Sequence, residues 1–450
     1  MSDSKKCLFI FRRDLRLEDN KGLLHAFKQA EKVLPCFIFT PEQIERNPYR
    51  SDHCLQLMIE SLEDLEEQLK QKGGRLFLFF DHPETVVEKC IEHHGIDRVV
   101  VNRDYTPYSQ TRDRKIAAVC KKHKIPFEII DDALLHPPEK TLKADGKPYS
   151  IFTPYFRNAS RLKVDPPQKN SYDRYATHPI LFAETSSLYK KILPKRNPHP
   201  AMEGGRAAAL KILRKIDSFK NYGKVRDFPA ESGTTHLSAY LKFTVISPRE
   251  AYYKIGEALG FSHDLIRSLF WRDFFSHVAF FYPHVFEGAF HPKYDKIKWS
   301  YDKKDFHRWC EGKTGFPIVD AGMREMNETG FMHNRVRMIA ASFLTKDLHI
   351  DWRWGEKYFA QQLIDYDPAV NNGNWQWSAS TGCDAQPYFR IFNPWSQQEK
   401  FDPDCEYIKK WLPELKPFSP EEIHKGKAAL PMLDHSEEAK AALKAYRAVR

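Results

Sequence analysis

No two of the eight cysteines are spaced as CxxC. They stand singly at 7, 36, 54, 90, 120, 310, 383 and 405, which excludes a disulfide framework and a zinc ribbon and fits a reducing compartment. Long hydrophobic runs are missing too: nothing approaches the roughly 20 apolar residues that cross a bilayer. The opening MSDSKKCLFIFRRDLR carries a short apolar run and then arginines, too little for a secretory signal. A soluble, cytoplasmic protein with no membrane contact is expected. No GxGxxG follows a strand-like run, so a nicotinamide-type site is unsupported. No HExxH occurs among the 19 histidines, so no metal is expected and His333 and His349 are ordinary polar or core residues. Gly312-Lys313-Thr314 mimics a phosphate loop, but His307 stands where that loop needs glycine. Ser187-x-x-Lys190 with Lys313-Thr314-Gly315 mimics a serine acyl-enzyme set that lacks its SDN element. Internal repeats and low-complexity tails are likewise missing.

Aromatic residues are in excess, 14% of the chain and gathered after residue 260, which asks for a planar ligand or for bases. The formal charge of +10 suits a polyanion, although a basic enzyme has it as well. Apolar runs at 7–11, 33–39, 75–80, 98–101 and 126–130 alternate with helical patterns, the signature of an α/β domain with a five-stranded parallel, Rossmann-like sheet. In the helix expected over 51–72, Leu55, Met58, Leu62, Leu65 and Leu69 form a core stripe, and Gly73 and Gly74 stop it. Residues 131–203 are Pro-rich and polar, with little periodicity, and are expected to be an interdomain connector. From 204 to 450 helical periods dominate. The expected division is therefore 1–130, 131–203 and an all-helical 204–450.

The chemistry gathers in the helical part. Residues 352–377, WRWGEKYFAQQLIDYDPAVNNGNWQW, put four of the nine tryptophans, Asp365, Tyr366, Asp367, Asn371, Asn372 and Asn374 close together. Buried amides, carboxylates and indole N–H groups all need partners, so this mixture suits a pocket lining better than a core. Thr234-Thr235-His236-Leu237-Ser238 follows a Pro and Gly-bearing turn. Hydroxyls and backbone N–H groups at a helix start can cradle a diphosphate, and a simple N-cap accounts for the same residues. In HNRVRM, Asn334, Arg337 and Met338 share a helix face, and Arg337 can pair with Asp365 or Asp367. Cradle, ion pair, amides and indoles together describe a flavin dinucleotide pocket.

Ordered blocks then carry a family resemblance: FIFRRDLRLEDN, NYGKVRDFPAESGTTHLSAYLKF, LFWRDFF, GKTGFPIVDAGMREMNETGFMHNRVRM, ASFLTKDLHIDWRWGE and DYDPAVNNGNWQWSASTGCDAQPYFRIFNP. The chain resembles the DNA photolyase and cryptochrome family over nearly its whole length, and within it the class I cyclobutane pyrimidine dimer photolyases. The resemblance implies an α/β antenna domain and a helical domain holding FAD. It implies FAD contacts at Tyr222, Thr234, Thr235, His236, Leu237, Ser238, Arg272, Asn334, Arg337, Asp365, Tyr366, Asp367 and Asn371, with Asn371 beside the flavin N5. Trp375, Trp352 and Trp299 match the tryptophan chain that reduces the flavin. On their own, Trp299 and Trp352 read as packing.

On the substrate side the resemblance implies Trp271 and Trp377 as walls around a flipped-out dimer, with Arg226, Arg335, Met338 and Gln397 at the strand or lesion. Damaged bases unstack at low cost, and photolyases are a standard example of such base flipping. The implied partner is ultraviolet-damaged DNA, single or double stranded, and a monomer is expected. The implied reaction is light-driven, with one electron passing from reduced FAD to the dimer and back. The chain departs from the pattern in two respects. Ser268 replaces the acidic residue three places before Trp271. Tyr108 and Ser109 replace an Asn and Glu pair, which favours a deazaflavin, a second flavin or no antenna over methenyltetrahydrofolate. The competing readings are a signalling cryptochrome, a (6-4) photoproduct lyase and a DNA-binding module without catalysis.

Overall fold

The computed structural model describes residues 5–449. Five strands, β1 (Lys6–Phe11), β2 (Lys32–Phe39), β3 (Phe77–Phe80), β4 (Arg98–Asn102) and β5 (Phe127–Ile130), form one parallel sheet in the order β3-β2-β1-β4-β5. Each follows one of the apolar runs, because helices cover both faces and neither side of a central strand meets water. Along β1 the side chains divide by the pleat. Leu8 and Ile10 join Val99 and Val101 over the helices Pro83–His94 and Pro107–Lys122. Cys7, Phe9 and Phe11 face a larger core that continues into the helical region through Leu237, Phe270 and Phe274. The sheet is thereby fixed against the region that carries the candidate site. The strand order reverses between β1 and β4, so the crevice beyond their carboxyl ends receives Arg12 and Arg13 from the loop after β1.

Helix Asp52–Gln71 matches the expected stripe. Ser51 caps it by accepting from Cys54 N, and Gly73 leaves it with φ 70°. Among the described residues every strand lies before residue 131, and the later chain is helical.

The connector differs from its expectation. It holds the helices Phe152–Ala159 and Ser187–Ile192, and Phe152, Tyr155 and Ala159 are buried. Their spacing of three and four residues is a short helical stripe that the surrounding prolines mask. Tyr175 pairs with Val33 and Glu184 with Leu78, so the connector also edges the sheet. A buried ionic cluster ties the two regions together. Arg16 Nη2 reaches both carboxylate oxygens of Asp132, and Arg249 of helix Pro248–Leu259 reaches both Asp19 (2.8 Å) and Asp132 (2.6 Å). Removing one member would strand a buried charge, which makes the junction intolerant of substitution there.

Candidate functional site

Asp365 and Asp367 are two residues apart and serve different cations. Asp365 takes a two-pronged pair from Arg337, 3.1 Å on each oxygen, and accepts from Ser238 Oγ at 2.7 Å. Arg337 lies on helix Asn334–Lys346, donates Nε to the Met332 carbonyl at 2.7 Å and sits over the Phe331 ring. Of the two partners the sequence allowed, Arg337 therefore has Asp365.

Asp367 caps helix Pro368–Ser378 by accepting from Ala369 N and Val370 N, and its other oxygen binds Arg13 across the domain junction. Burial alone would raise this carboxyl, but Arg13, Lys242 and Arg272 hold it far below the usual range. Asp104 adds a contact to Arg13 at 3.4 Å. Arg272 donates to the carbonyls of Ala133 and Leu241, at 2.7 and 3.1 Å. Asp273 lies 3.5 Å from Arg272, so Arg13, Lys242 and Arg272 stand with Asp104, Asp367 and Asp273 in a buried place; burial raises Asp273 to about 7, which weakens its negative charge and leaves the cluster suited to an anionic group. Burial lowers the Lys242 ammonium, as does Arg13 beside it.

The Thr234 to Ser238 segment leads into helix Leu237–Lys242, whose first residue is preceded by His236 in the left-handed region at φ 53°. A simple N-cap is not what forms. His236 makes no capping bond, and Thr235 Oγ1 accepts only weakly from Leu237 N at 3.4 Å. Nor do all three hydroxyls form one open cradle, because Ser238 is turned to Asp365. His236 packs on Phe331, 4.6 Å between rings, so the segment, Asp365 and Arg337 make one unit. Tyr366 sits beside it with Lys242 over its ring.

Asn371 is buried and donates Nδ2 to both the carbonyl and the carboxyl of Glu356, at 3.0 and 2.9 Å. Burial raises Glu356 to about 7, against a lowering by Asn371. Trp375, one turn further along, is buried against helix Trp352–Gln362. A Cβ on Gly355 would fall 2.2 Å from the Trp375 ring, so glycine is what allows the approach. Trp352 is buried on the same helix, and Trp299 is 9% exposed against Tyr446.

The remaining expected residues each have local partners. Trp271 is half-buried and stacked on Phe152, 3.6 Å between centroids and 8° between planes. Trp377 is half-buried, and Asn334 touches Met338 through Nδ2 and Sδ at 3.7 Å. Ser268 spends its hydroxyl on the Asp264 carbonyl of its own helix, 3.1 Å away, instead of projecting it. Arg226 lies over the Tyr222 ring, while Arg335 is paired with Asp227 at 2.9 Å and covers Phe401. Gln397 Oε1 is buried with no protein partner.

Arg13, Asp104, Lys242 and Glu356 escaped sequence reasoning. Arg13 had one signal, a charged RRD run at the carboxyl end of a parallel strand, where open α/β sheets bind ligands. A dinucleotide fits the donor set: Arg13, Lys242 and Arg272 for phosphates, Asn371 for a polar ring edge, and Arg13 Nε buried without a protein acceptor.

Two family models match the chain, DNA photolyase over residues 7–171 and the FAD binding domain of DNA photolyase over residues 265–448. A deoxyribodipyrimidine photo-lyase of Alkalihalophilus pseudofirmus is 38% identical, over 99% of this chain and 98% of its own. An archaeal photolyase from Sulfolobus tokodaii with two FAD molecules is 41% identical with TM-score 0.89, covering 98% of this chain and all of its own. A cryptochrome of Synechocystis is 27% identical with TM-score 0.90, covering 99% of this chain and all of its own.

Proposed function

Since the chain belongs to the DNA photolyase family, we propose that it binds FAD and uses light to split cyclobutane pyrimidine dimers in ultraviolet-damaged DNA. The observation that carries this is the joined set of Ser238, Asp365 and Arg337 with Asp367 and its cations, all leading into the helix that bears Asn371 and Trp375. When bound, reduced FAD supplies the photoexcited electron that opens the cyclobutane ring and recovers it afterwards.

The chain's own residues hold and orient. Arg13, Lys242 and Arg272 neutralise phosphate charge, and Arg337, fixed by Asp365, keeps its guanidinium in one plane. Asn371, fixed by Glu356, would offer its amide to a polar edge of the flavin ring, and Trp375 follows it one turn later in the same helix. Tyr222, Thr234, Thr235, His236, Leu237, Tyr366 and Asn334 complete the cofactor walls, and Trp375, Trp352 and Trp299 supply electrons during photoreduction. Trp271 and Trp377 receive the flipped dimer. Arg226, Arg335 and Gln397 meet the strand, whose affinity is mostly phosphate charge and independent of sequence.

Asn334 and Met338 favour cyclobutane dimers, the class I substrate, over (6-4) products. Neither side chain can protonate a photoproduct as an imidazole can. The division into 1–130, 131–203 and 204–450 follows the change from sheet to helices. A second flavin suits the crevice at the ends of β1 and β2, where Thr40 and Tyr108 share a hydrogen bond at 3.2 Å, and the Sulfolobus relative carries two FAD molecules. The protein acts as a monomer in the cytoplasm. No helix among the described residues is long and apolar enough to cross a membrane, and all eight cysteines are free.

The test is lesion-specific. Reduced protein illuminated with irradiated DNA clears cyclobutane dimers and leaves (6-4) products and the dark control unchanged. Flavin binding without dimer loss under saturating light would favour the signalling reading.

A further inference from the structure

The Trp375 ring meets Phe359 at 4.9 Å and Trp309 at 6.2 Å. From Trp309 the ring contacts continue outward. Phe306 stacks on Trp309 at 5.8 Å and meets Trp354 edge-on at 5.1 Å, and Trp354 meets Tyr301 at 5.7 Å. Burial falls along the same path, from Trp309 at 0% exposed, through half-buried Phe306 and Trp354, to Tyr301 at 59% exposed. The Trp309 N–H is held by the Ala340 carbonyl at 3.1 Å, which fixes the ring.

The outer end has what a tyrosine needs in order to be oxidised. A phenol that loses an electron becomes strongly acidic and must lose its proton, so a base within reach decides which tyrosine can end a relay. Tyr301 donates to the Asp351 carboxylate at 3.4 Å, an acid that also accepts from Arg353 Nε at 3.0 and 3.1 Å and from its Nη2 at 2.8 Å. Tyr358 also touches Trp309 and Phe306, but its hydroxyl donates to the Asn327 amide oxygen and the Cys310 carbonyl. Tyr446, against Trp299, donates to the Ala379 carbonyl. None of these three amide acceptors takes a proton near neutral pH. Trp299 itself is 9% exposed, whereas Tyr301 is open to water.

We propose that Tyr301 is the terminal electron donor of a second aromatic relay, Trp375 to Trp309 to Trp354 to Tyr301, with Asp351 as its proton acceptor. The relay rests on Trp375 being the residue that gives an electron to the light-excited, oxidised FAD. Each hop moves one electron inward: Trp309 refills Trp375, Trp354 refills Trp309 across Phe306, and Tyr301 refills Trp354. Phe306 is a spacer, since a benzene ring is much harder to oxidise than an indole. At the end one electron has left Tyr301, its phenol proton sits on Asp351, and a neutral tyrosyl radical remains until a dissolved thiol returns one electron, becoming a thiyl radical with its proton released to water, and Asp351 returns the phenol proton.

The experiment is electron paramagnetic resonance of the FAD-loaded, oxidised protein, illuminated and then frozen, with flavin reduction followed in the same sample. The wild-type protein should give a tyrosyl signal. Tyr301→Phe, a surface change that spares the fold, should lose it. Trp354→Phe should lose most of it, and Asp351→Asn should slow its appearance. A tyrosyl signal that persists in Tyr301→Phe, or wild-type photoreduction with only tryptophan radicals, would overturn the relay. Trp375→Phe separates the two ideas. Unchanged photoreduction in that variant would remove the starting residue and the relay with it. Slowed photoreduction there, with no tyrosyl signal in the wild type, would overturn the relay alone.

Discussion

Glu356 accepts a hydrogen bond from Asn371 Nδ2 at 2.9 Å, and its own carbonyl accepts a second from the same nitrogen at 3.0 Å. The amide cannot flip without leaving two buried acceptors unpaired, so Glu356 fixes the orientation of Asn371. Burial raises the Glu356 carboxyl from 4.5 to about 7. Between those values the native state holds the proton and the unfolded chain has lost it, so stability falls as pH rises across that window. Glu356→Gln keeps an acceptor and removes the titration. Its unfolding free energy should lose this part of the slope, as measured by urea unfolding at stepped pH. A slope equal to wild type would clear Glu356 of that role.

Asp365 joins Arg337 to Ser238. In Asp365→Ala, Arg337 keeps only its bond to the Met332 carbonyl. The expected loss is about 2 to 4 kcal/mol, with most of the bound flavin, because a partly buried cation is left without its anion. Flavin content and thermal midpoint measure both, and full flavin content with unchanged melting would contradict the pairing.

Arg226 lies over Tyr222 and is proposed to meet a phosphate. Arg226→Ala should weaken binding to irradiated DNA and reduce the slope of log K against log salt by about one. An unchanged slope would take it out of the interface.

Ser268 donates its hydroxyl proton back to its own helix, so it has no proton free for a lesion. Ser268→Glu places a carboxylate where class I relatives carry one, and repair yield should hold or rise. A large fall, with the fold intact, would mean that this pocket has a different polar requirement.

The strands were legible because a parallel sheet buries both faces and writes itself as short apolar runs such as CLFIF. The Arg337 and Asp365 pair was legible as far as a choice between two acids. The Arg13 and Asp367 pair was not, since it spans 354 positions and forms only when the sheet docks on the helices. Glu356 was hidden differently. In WRWGEKYF it looks like a solvent-facing acid, and only the fold turns it inward to Asn371. The connector helix Phe152–Ala159 was masked by neighbouring prolines, although its Phe152 stacks on a proposed lesion wall.

The most direct measurement uses a short oligonucleotide with one thymine dimer at a known position, mixed with chemically reduced, FAD-loaded protein and followed by chromatography in light and in darkness. Conversion of the dimer strand to the undamaged strand in light, with none in darkness and a marked loss in Trp271→Ala, is the expected result. No conversion in light, by protein that holds its flavin, would contradict the account.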